Sequence, residues 1–114
     1  GRTTPMVKSG AAMADVLTAM SDAGLGCVYV ERANGTLAGI VTDGDIRRLV
    51  ANGTQAETVD DVMTEKPVTV GPDALAHETL VLMNTHRITR IVVVDHGRPI
   101  GVVHMHDFLK AGIA

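Results

Sequence analysis

Apolar residues follow a helical spacing at two places in the chain. In the first, positions i, i+3, i+4 and i+7 are occupied by Met13, Val16, Leu17 and Met20. The same spacing returns 63 residues later at Ala76, Thr79, Leu80 and Met83. Because a helix places these positions on one face, each stretch predicts an amphipathic helix. The recurrence indicates an internal repeat, which decides how the rest of the chain is interpreted.

A short apolar run follows each helix and predicts a buried strand. The runs are Cys27–Val30 and Ile91–Val94, and β-branched residues are frequent in both. A turn signal comes next in each copy. Asn34–Gly35 favours a type I′ turn, in which both central residues have positive φ, and His96–Gly97 is its weaker counterpart. Both copies therefore predict a hairpin.

A second strand and a second helix complete each copy. Leu37–Thr42 leads into Asp43–Ala51, and Pro99–His104 leads into a helix from His106 to about Ala111. The order helix, strand, turn, strand, helix predicts an α/β (α+β) protein in which each copy is a small sheet packed with helices. A copy of about 55 residues buries little surface alone, so we expect two halves related by a pseudo-twofold axis.

Domain boundaries follow from the repeat. We place the first copy at residues 1–52, a polar connector at 53–58 and the second copy at 59–114. Of an opening like that of the second copy, which begins at Val59, the first copy keeps only Pro5–Val7. We therefore expect the chain to come from a longer protein, cut just inside a domain boundary.

Composition argues against several classes of function. Of the 114 residues, 46% are hydrophobic and 20% are charged, as is usual for a folded domain. Aromatic residues make up 2% and the net charge is -3, so no nucleic-acid partner is expected. The chain has no apolar run of about 18 residues and no signal-peptide pattern, so no membrane partner is expected either. With Cys27 as the single cysteine, the cytoplasm is the expected compartment.

The repeat resembles a pair of CBS (cystathionine β-synthase) domains. The resemblance rests on Val59–Thr64 with Pro67, on the helix that follows, and on the run Gly-Ile-Val-Thr-Asp-Gly-Asp at Gly39–Asp45. It covers essentially the whole chain. It implies two intertwined α/β halves, a central cleft that commonly binds adenosine nucleotides or related molecules, and a regulatory role.

Two segments are similar to one subgroup, the D-arabinose 5-phosphate isomerases. They are Thr42–Arg48 in the first copy and His104–Gly112 in the second. In that family a catalytic sugar-isomerase (SIS) domain lies N-terminal to the CBS pair, and the enzyme makes the precursor of Kdo, a lipopolysaccharide sugar. The resemblance implies an SIS domain as partner. It also implies an adenine nucleotide, or the downstream product CMP-Kdo, as a regulatory ligand.

In the first copy, three residues at the end of the second strand suit ligand contact. Gly39 has no Cβ and lets a ligand or another backbone approach the strand. Thr42 stands where the strand becomes a helix, and Asp45 follows three residues later, as in a capping box. The same hydroxyl can contact a phosphate, and the same carboxylate can accept hydrogen bonds from a ribose diol. Capping and ligand contact are both open interpretations of this pair.

The second copy has Gly101, His104 and Asp107 at the equivalent positions. The bulkier imidazole of His104 either closes this site and contacts the first half, or binds an anionic group of a sugar or nucleotide. We therefore expect Asp45 to contribute more to ligand binding than Asp107. A metal is not expected, because the helix that begins here would part the rings of His104 and His106.

Arg90 directly precedes the first strand of the second copy and joins the candidate ligand contacts. No catalytic residue is assigned, because Cys27 lies in an apolar run as a packing thiol, and we expect this chain alone to be catalytically silent. A CBS pair leaves helix faces exposed, and the resemblance implies that two pairs associate, so we expect a homodimer through the CBS helices. Two alternatives stay open: an oligomerisation module without a ligand, and a composite site in which His104, His106 and Asp107 are completed by the isomerase domain.

Overall fold

The computed structural model describes residues 5–24 and 26–112. Within these ranges the chain forms two compact units, of which one ends at Pro67 and the other begins at Val68. The first unit contains β1 (Met6–Lys8), α1 (Met13–Ala23), β2 (Cys27–Glu31), β3 (Leu37–Thr42), α2 (Asp43–Ala51), a 3-10 turn (Val59–Asp61) and β4 (Thr64–Glu65). The second unit contains β5 (Thr69–Val70), α3 (Ala76–His86), β6 (Arg90–Asp95), β7 (Arg98–His104) and α4 (Met105–Lys110). Small sheets packed with helices confirm the predicted α/β class.

Both amphipathic helices form where the apolar spacing predicts them. α1 buries Val16 and Met20, and α3 buries Leu80 and Met83. α1 ends at Gly24, whose φ of 67° is the left-handed conformation in which many helices end. The helical period therefore marks the face of α1 that packs onto β1 and β2, although Leu17 of the same pattern is half exposed.

The first sheet has the strand order β1-β2-β3-β4. β2 lies parallel to β1 and antiparallel to β3, and it is buried along Cys27–Val30, as predicted. The core of this unit is made of the buried residues Val7, Val16, Met20, Val28, Val30, Ala38, Val41 and Val59. β3 thus contributes Ala38 and Val41 to this core directly before α2 begins.

Residues 59–65 pack within the first unit. The side chain of Val59 is buried, and its N–H donates to the carbonyl of Ala11 at 2.9 Å. Asp60 Oδ2 accepts the N–H of Gly10 at 2.7 Å, and β4 pairs antiparallel with β3. By the sequence repeat this segment opens the second copy, whereas by packing it completes the first core. The repeating unit and the packing unit are therefore different divisions of the chain.

The second sheet has the strand order β5-β6-β7, with β6 parallel to β5 and antiparallel to β7. Ile91 and Val92 are fully buried, whereas Val93 and Val94 are partly exposed. The expectation of a buried run along Ile91–Val94 is thus wrong for its second half. The reason is that this sheet, as described, has one strand fewer, and β7 beside it is itself only partly buried.

Strand register gives the equivalence between the copies. Thr42 pairs with Cys27, and His104 pairs with Arg90. The counterpart of Cys27 is therefore Arg90 and not Ile91, to which the match of apolar runs assigned it. Matching the apolar runs aligns Cys27 with Ile91, whereas matching the strand pairing aligns Cys27 with Arg90. Each helix start consequently has a different neighbour on the adjacent strand.

The two predicted hairpins are confirmed, but their turn types differ from expectation. His96 and Gly97 have φ values of 51° and 81°, so the type I′ pattern lies in the second copy. In the turn of the first copy, Gly35 has a positive φ of 86°, whereas Asn34 does not. Asn34 instead uses its side chain, since its Oδ1 accepts the N–H of Thr36 at 3.1 Å. An asparagine that bonds to the backbone two residues later forms its own local turn, and the first hairpin has the longer connection.

Candidate ligand-binding sites at two helix starts

Thr42 connects β3 to α2 and caps that helix. Its Oγ1 accepts the N–H of Asp45 at 3.4 Å, and its own N–H donates to Asp45 Oδ2 at 2.9 Å. This reciprocal pair is a capping box, which supplies partners for N–H groups that the helix start would otherwise leave without any. The capping interpretation of Thr42 and Asp45 is confirmed.

The Asp45 carboxylate is buried and engaged on both oxygens. Oδ2 also accepts the Thr42 hydroxyl at 3.2 Å, while Oδ1 accepts Arg48 Nη2 at 2.7 Å and the Thr64 hydroxyl at 3.3 Å. Together with the Thr42 N–H, four donors face a group that offers roughly four lone-pair positions. Only 8% of Asp45 is exposed, against 69% of the Arg48 side chain. A ribose diol therefore reaches this carboxylate only after a donor, most readily Arg48, has moved.

Gly39 accommodates a backbone. A Cβ at this position would lie 2.6 Å from the carbonyl oxygen of Thr64 and 3.0 Å from Met63 Sδ. Such contacts are too short for any side chain, so β4 occupies the space that the missing Cβ provides. Of the two approaches that the sequence left open at Gly39, the structure shows the backbone. Gly101 differs, because no atom of the described residues lies within 4 Å of the position that its Cβ would take.

His104 caps α4 with a ring nitrogen. The backbone N–H of His104 donates to Asp107 Oδ2 at 3.0 Å, and the ring Nδ1 of His104 accepts the backbone N–H of His106 at 3.0 Å. An accepting Nδ1 carries no proton, so the ring is neutral and holds its proton on Nε2. The Nε2–H remains a donor that can face an anionic group.

The Asp107 carboxylate is exposed, unlike that of Asp45. Within the part of the chain that the structure describes, the His104 N–H is its one hydrogen-bond donor. Lys110 stands where Arg48 stands in the first copy, three residues after the aspartate, and it makes no ion pair with Asp107 among the described residues. The second helix start therefore offers open acceptor positions that the first does not.

Burial lowers the pKa of His104, and the charge of Arg90 lowers that pKa further. The His106 ring acts in the same direction, and the Asp107 carboxylate opposes them. Arg90 is the cross-strand partner of His104, and directly paired residues project from the same face of a sheet. A guanidinium, a neutral imidazole and a carboxylate thus meet at the start of α4.

The helix that begins at Met105 does not part the histidine rings, contrary to expectation. The ring centroids of His104 and His106 lie 4.8 Å apart in an edge-to-face arrangement with an interplanar angle of 76°. The rings stay together because the Nδ1 cap turns the His104 ring over the first turn of the helix. No group of three metal-ligating side chains occurs among the described residues.

Arg48 and Thr64 are the neighbours of Asp45 that sequence reasoning missed. Arg48 had a signal, because an acid and a base three residues apart on a helix face each other. Thr64 had none, since its contact with Asp45 depends on β4 pairing with β3. Cys27 is fully buried, in agreement with a packing role.

Among the residues that the structure describes, no helix is long and apolar enough to cross a membrane. The sequence profile of the CBS domain matches residues 2–52 and 59–114. This chain belongs to the CBS domain family and contains two copies of the domain.

Individual relatives refine that membership. The arabinose 5-phosphate isomerase KdsD of Pseudomonas aeruginosa is 41% identical over 116 residues, which cover 99% of this chain and 36% of the relative. The chain thus spans about a third of the length of that relative. A signal-transduction protein with CBS domains from Burkholderia ambifaria MC40-6 is 32% identical, with a TM-score of 0.85 over 99% of this chain and 85% of that one. CBSX2 in complex with AMP is 25% identical, with a TM-score of 0.83 over 94% of this chain and 85% of that one.

Proposed function

We propose that this chain is the regulatory CBS pair of a D-arabinose 5-phosphate isomerase and that it binds a nucleotide or nucleotide sugar. The full-length match to an isomerase at 41% identity supports the parent enzyme. The AMP bound to CBSX2 supports a nucleotide as the class of ligand. In this proposal a separate SIS domain carries the catalysis in the cytoplasm, and the CBS pair adjusts it in the pathway to Kdo and lipopolysaccharide.

The single observation that carries the ligand proposal is the open donor and acceptor set at the start of α4. The Nε2–H of His104 supplies a donor for an anionic group, and Asp107 supplies an acceptor for a hydroxyl pair. The positive charge of Arg90, the cross-strand partner of His104, lies beside them and favours an anion. Beside them, Gly101 leaves the strand open to close approach. A phosphorylated ribose presents both kinds of partner, so it fits this set better than either a simple anion or a neutral sugar.

The first copy contributes differently in this proposal. Thr42 and Asp45 contact a ligand only when Arg48 leaves the carboxylate, and Gly39 contributes by admitting β4. From sequence, Asp45 was expected to contribute more than Asp107, because it has a threonine and a glycine beside it. Since those partners are engaged with the protein, we propose the reverse order for the affinity of the first ligand bound.

Calorimetric titration tests the assignment with AMP, CMP and CMP-Kdo as probes. A ligand at a hundredfold excess over its Kd stabilises the fold by about 2.7 kcal/mol, so a thermal-shift screen selects the probe first. With that probe, Asp107→Ala is expected to weaken binding about 10- to 150-fold, the worth of charge-assisted hydrogen bonds. Asp45→Ala is the matched variant and is expected to weaken it less. Equal losses, or a loss confined to Asp45→Ala, would overturn the assignment.

A second candidate function is assembly without a ligand. An apolar groove between α1 and α2 is lined by Leu17, Met20 and Ile46, with Asp43 and Arg47 at its rim. About half of Leu17 is exposed, at 49%. We propose that this face forms a homodimer, since a twofold axis brings the apolar residues of the groove in one copy against the same residues of a second copy. Sedimentation at micromolar concentration should give twice the 12.0 kDa of the single chain, and 12.0 kDa throughout would exclude it.

A composite site with the isomerase domain is distinguished in the full-length enzyme. If His104, His106 and Asp107 complete a catalytic centre, replacing them abolishes isomerase activity in the absence of any nucleotide while assembly is unchanged. If they hold a regulatory ligand, basal activity persists and only its response to the nucleotide is lost. We propose the second outcome.

A further inference from the structure

The cap of α4 depends on a lone pair that a proton would remove. His104 Nδ1 accepts the N–H of His106 at 3.0 Å, and an imidazolium has no acceptor to offer. We propose that α4 is a pH-sensitive element, whose first turn is released when His104 becomes protonated. The proposal requires no ligand and does not rest on the function proposed above.

Besides the contact to Nδ1, the start of α4 is held by the backbone N–H of His104, which donates to Asp107 Oδ2 at 3.0 Å. The helix has six residues, Met105–Lys110, and none of them is buried. The N–H of Met105 donates to the carbonyl of Thr89 at 2.8 Å, and Leu109 is more than half exposed. Since little apolar packing would compensate for a lost cap, the cap decides whether the first turn forms.

The surroundings of His104 disfavour protonation of its ring, so the neutral, capping form is the one stabilised in the folded state. Arg90 from β6 and His106 from α4 disfavour a charged ring, and Asp107 from α4 favours one. These are the charged and titratable groups that act on the His104 ring among the described residues. Burial also disfavours the charged ring, and the pKa of His104 is lowered overall.

A lowered pKa fixes the sign of the linkage. A histidine that is harder to protonate in the folded state contributes stability above its unfolded pKa, and that contribution is lost as pH falls through the folded pKa. The ratio of capped to released helix therefore falls, by up to about tenfold for each unit that separates the two pKa values. The first copy has no such dependence at its cap acceptor, because the Thr42 hydroxyl does not titrate in this range.

Nuclear magnetic resonance of the 114-residue chain tests this directly. Ring nitrogen shifts of His104 report its tautomer and protonation, and backbone carbon shifts report the helix at Met105–Lys110. We expect an Nε2–H tautomer at neutral pH and loss of the helical shifts of α4 in step with the titration of His104. A charged His104 beside an intact first turn of α4 would overturn the proposal.

Two variants separate the cap from other acid effects. His104→Asn keeps a capping acceptor that does not titrate, so the pH transition in α4 should disappear while the helix remains. His106→Asn removes the neighbouring ring but keeps its N–H, so the transition should persist. A transition that survives in His104→Asn would overturn the proposal. If that variant does not fold, His104→Thr, which copies the first cap, serves in its place.

Discussion

The starts of α2 and α4 have the same hydrogen-bond pattern made from different chemistry. In each, the cap residue donates its N–H to an aspartate three residues later, at 2.9 Å for Thr42 and 3.0 Å for His104. Beyond that pattern they diverge. Asp45 is buried under Arg48 and the Thr64 hydroxyl, whereas the Asp107 carboxylate faces solvent. A repeat thus preserves backbone geometry while its side chains acquire separate uses.

The difference arises from what covers each site. β4 follows the edge of β3 and brings Thr64 to the first carboxylate. No strand pairs with the other edge of β7 within the described ranges. The first helix start is therefore joined to its sheet by polar contacts, and the second is left accessible. In the proposals made above, the first start is structural and the second is the site where a ligand or a proton acts.

The largest expected effect is on stability when the two aspartates are compared. Asp45→Ala removes a carboxylate that four donors share, and it leaves partly buried donors without a partner. We expect a loss of about 3 kcal/mol in the free energy of unfolding. Asp107→Ala removes one exposed capping contact and should cost about 1 kcal/mol or less. Urea denaturation of both variants measures the difference, and equal losses would remove the distinction between a structural and an accessible site.

The two glycines give a smaller effect and require no charge. Gly39→Ala places a Cβ 2.6 Å from a backbone oxygen of β4, so the strand must shift, at a cost of roughly 1 to 3 kcal/mol. Gly101→Ala meets no atom within 4 Å among the residues that the structure describes, and we expect it to be neutral or to stabilise by up to about 1 kcal/mol. Thermal unfolding of the pair checks this. A large loss in Gly101→Ala would mean that the open edge of β7 is occupied in solution.

The sequence predicted the elements better than the contacts between them. The apolar spacing predicted the helices α1 and α3. The cap at Thr42 was predicted because a threonine stands three residues before an acidic residue, Asp45. These are local interactions, which a periodic pattern records. The opposite strand at Gly39 and the pairing of Arg90 with His104 are set by register between distant segments. One residue of difference in loop length changes such a register without changing any local pattern.

The cap formed by the ring nitrogen of His104 is a further feature that the sequence did not predict. Histidine is an unusual residue at a helix start, where serine, threonine, asparagine and aspartate are preferred, so residue type alone gave His104 no capping role. The protonation state decides whether it can accept a hydrogen bond, and a sequence does not carry that information. The structure supplies it through the 3.0 Å contact from the His106 N–H to Nδ1.

The smallest expected effect concerns the basic residue that follows each aspartate. Arg48 Nη2 lies 2.7 Å from Asp45 Oδ1, but most of its side chain is exposed, so solvent screens the pair. We expect Arg48→Gln to cost about 0.5 to 1 kcal/mol in the free energy of unfolding and to make Asp45 more accessible to a nucleotide. Lys110→Gln is the matched control and should change neither property. Calorimetric titration of Arg48→Gln should then show a second, weaker binding event at the first copy. One event with unchanged affinity would mean that Arg48 does not restrict access to Asp45, and that the first copy is closed by the Thr64 contact and by β4 instead.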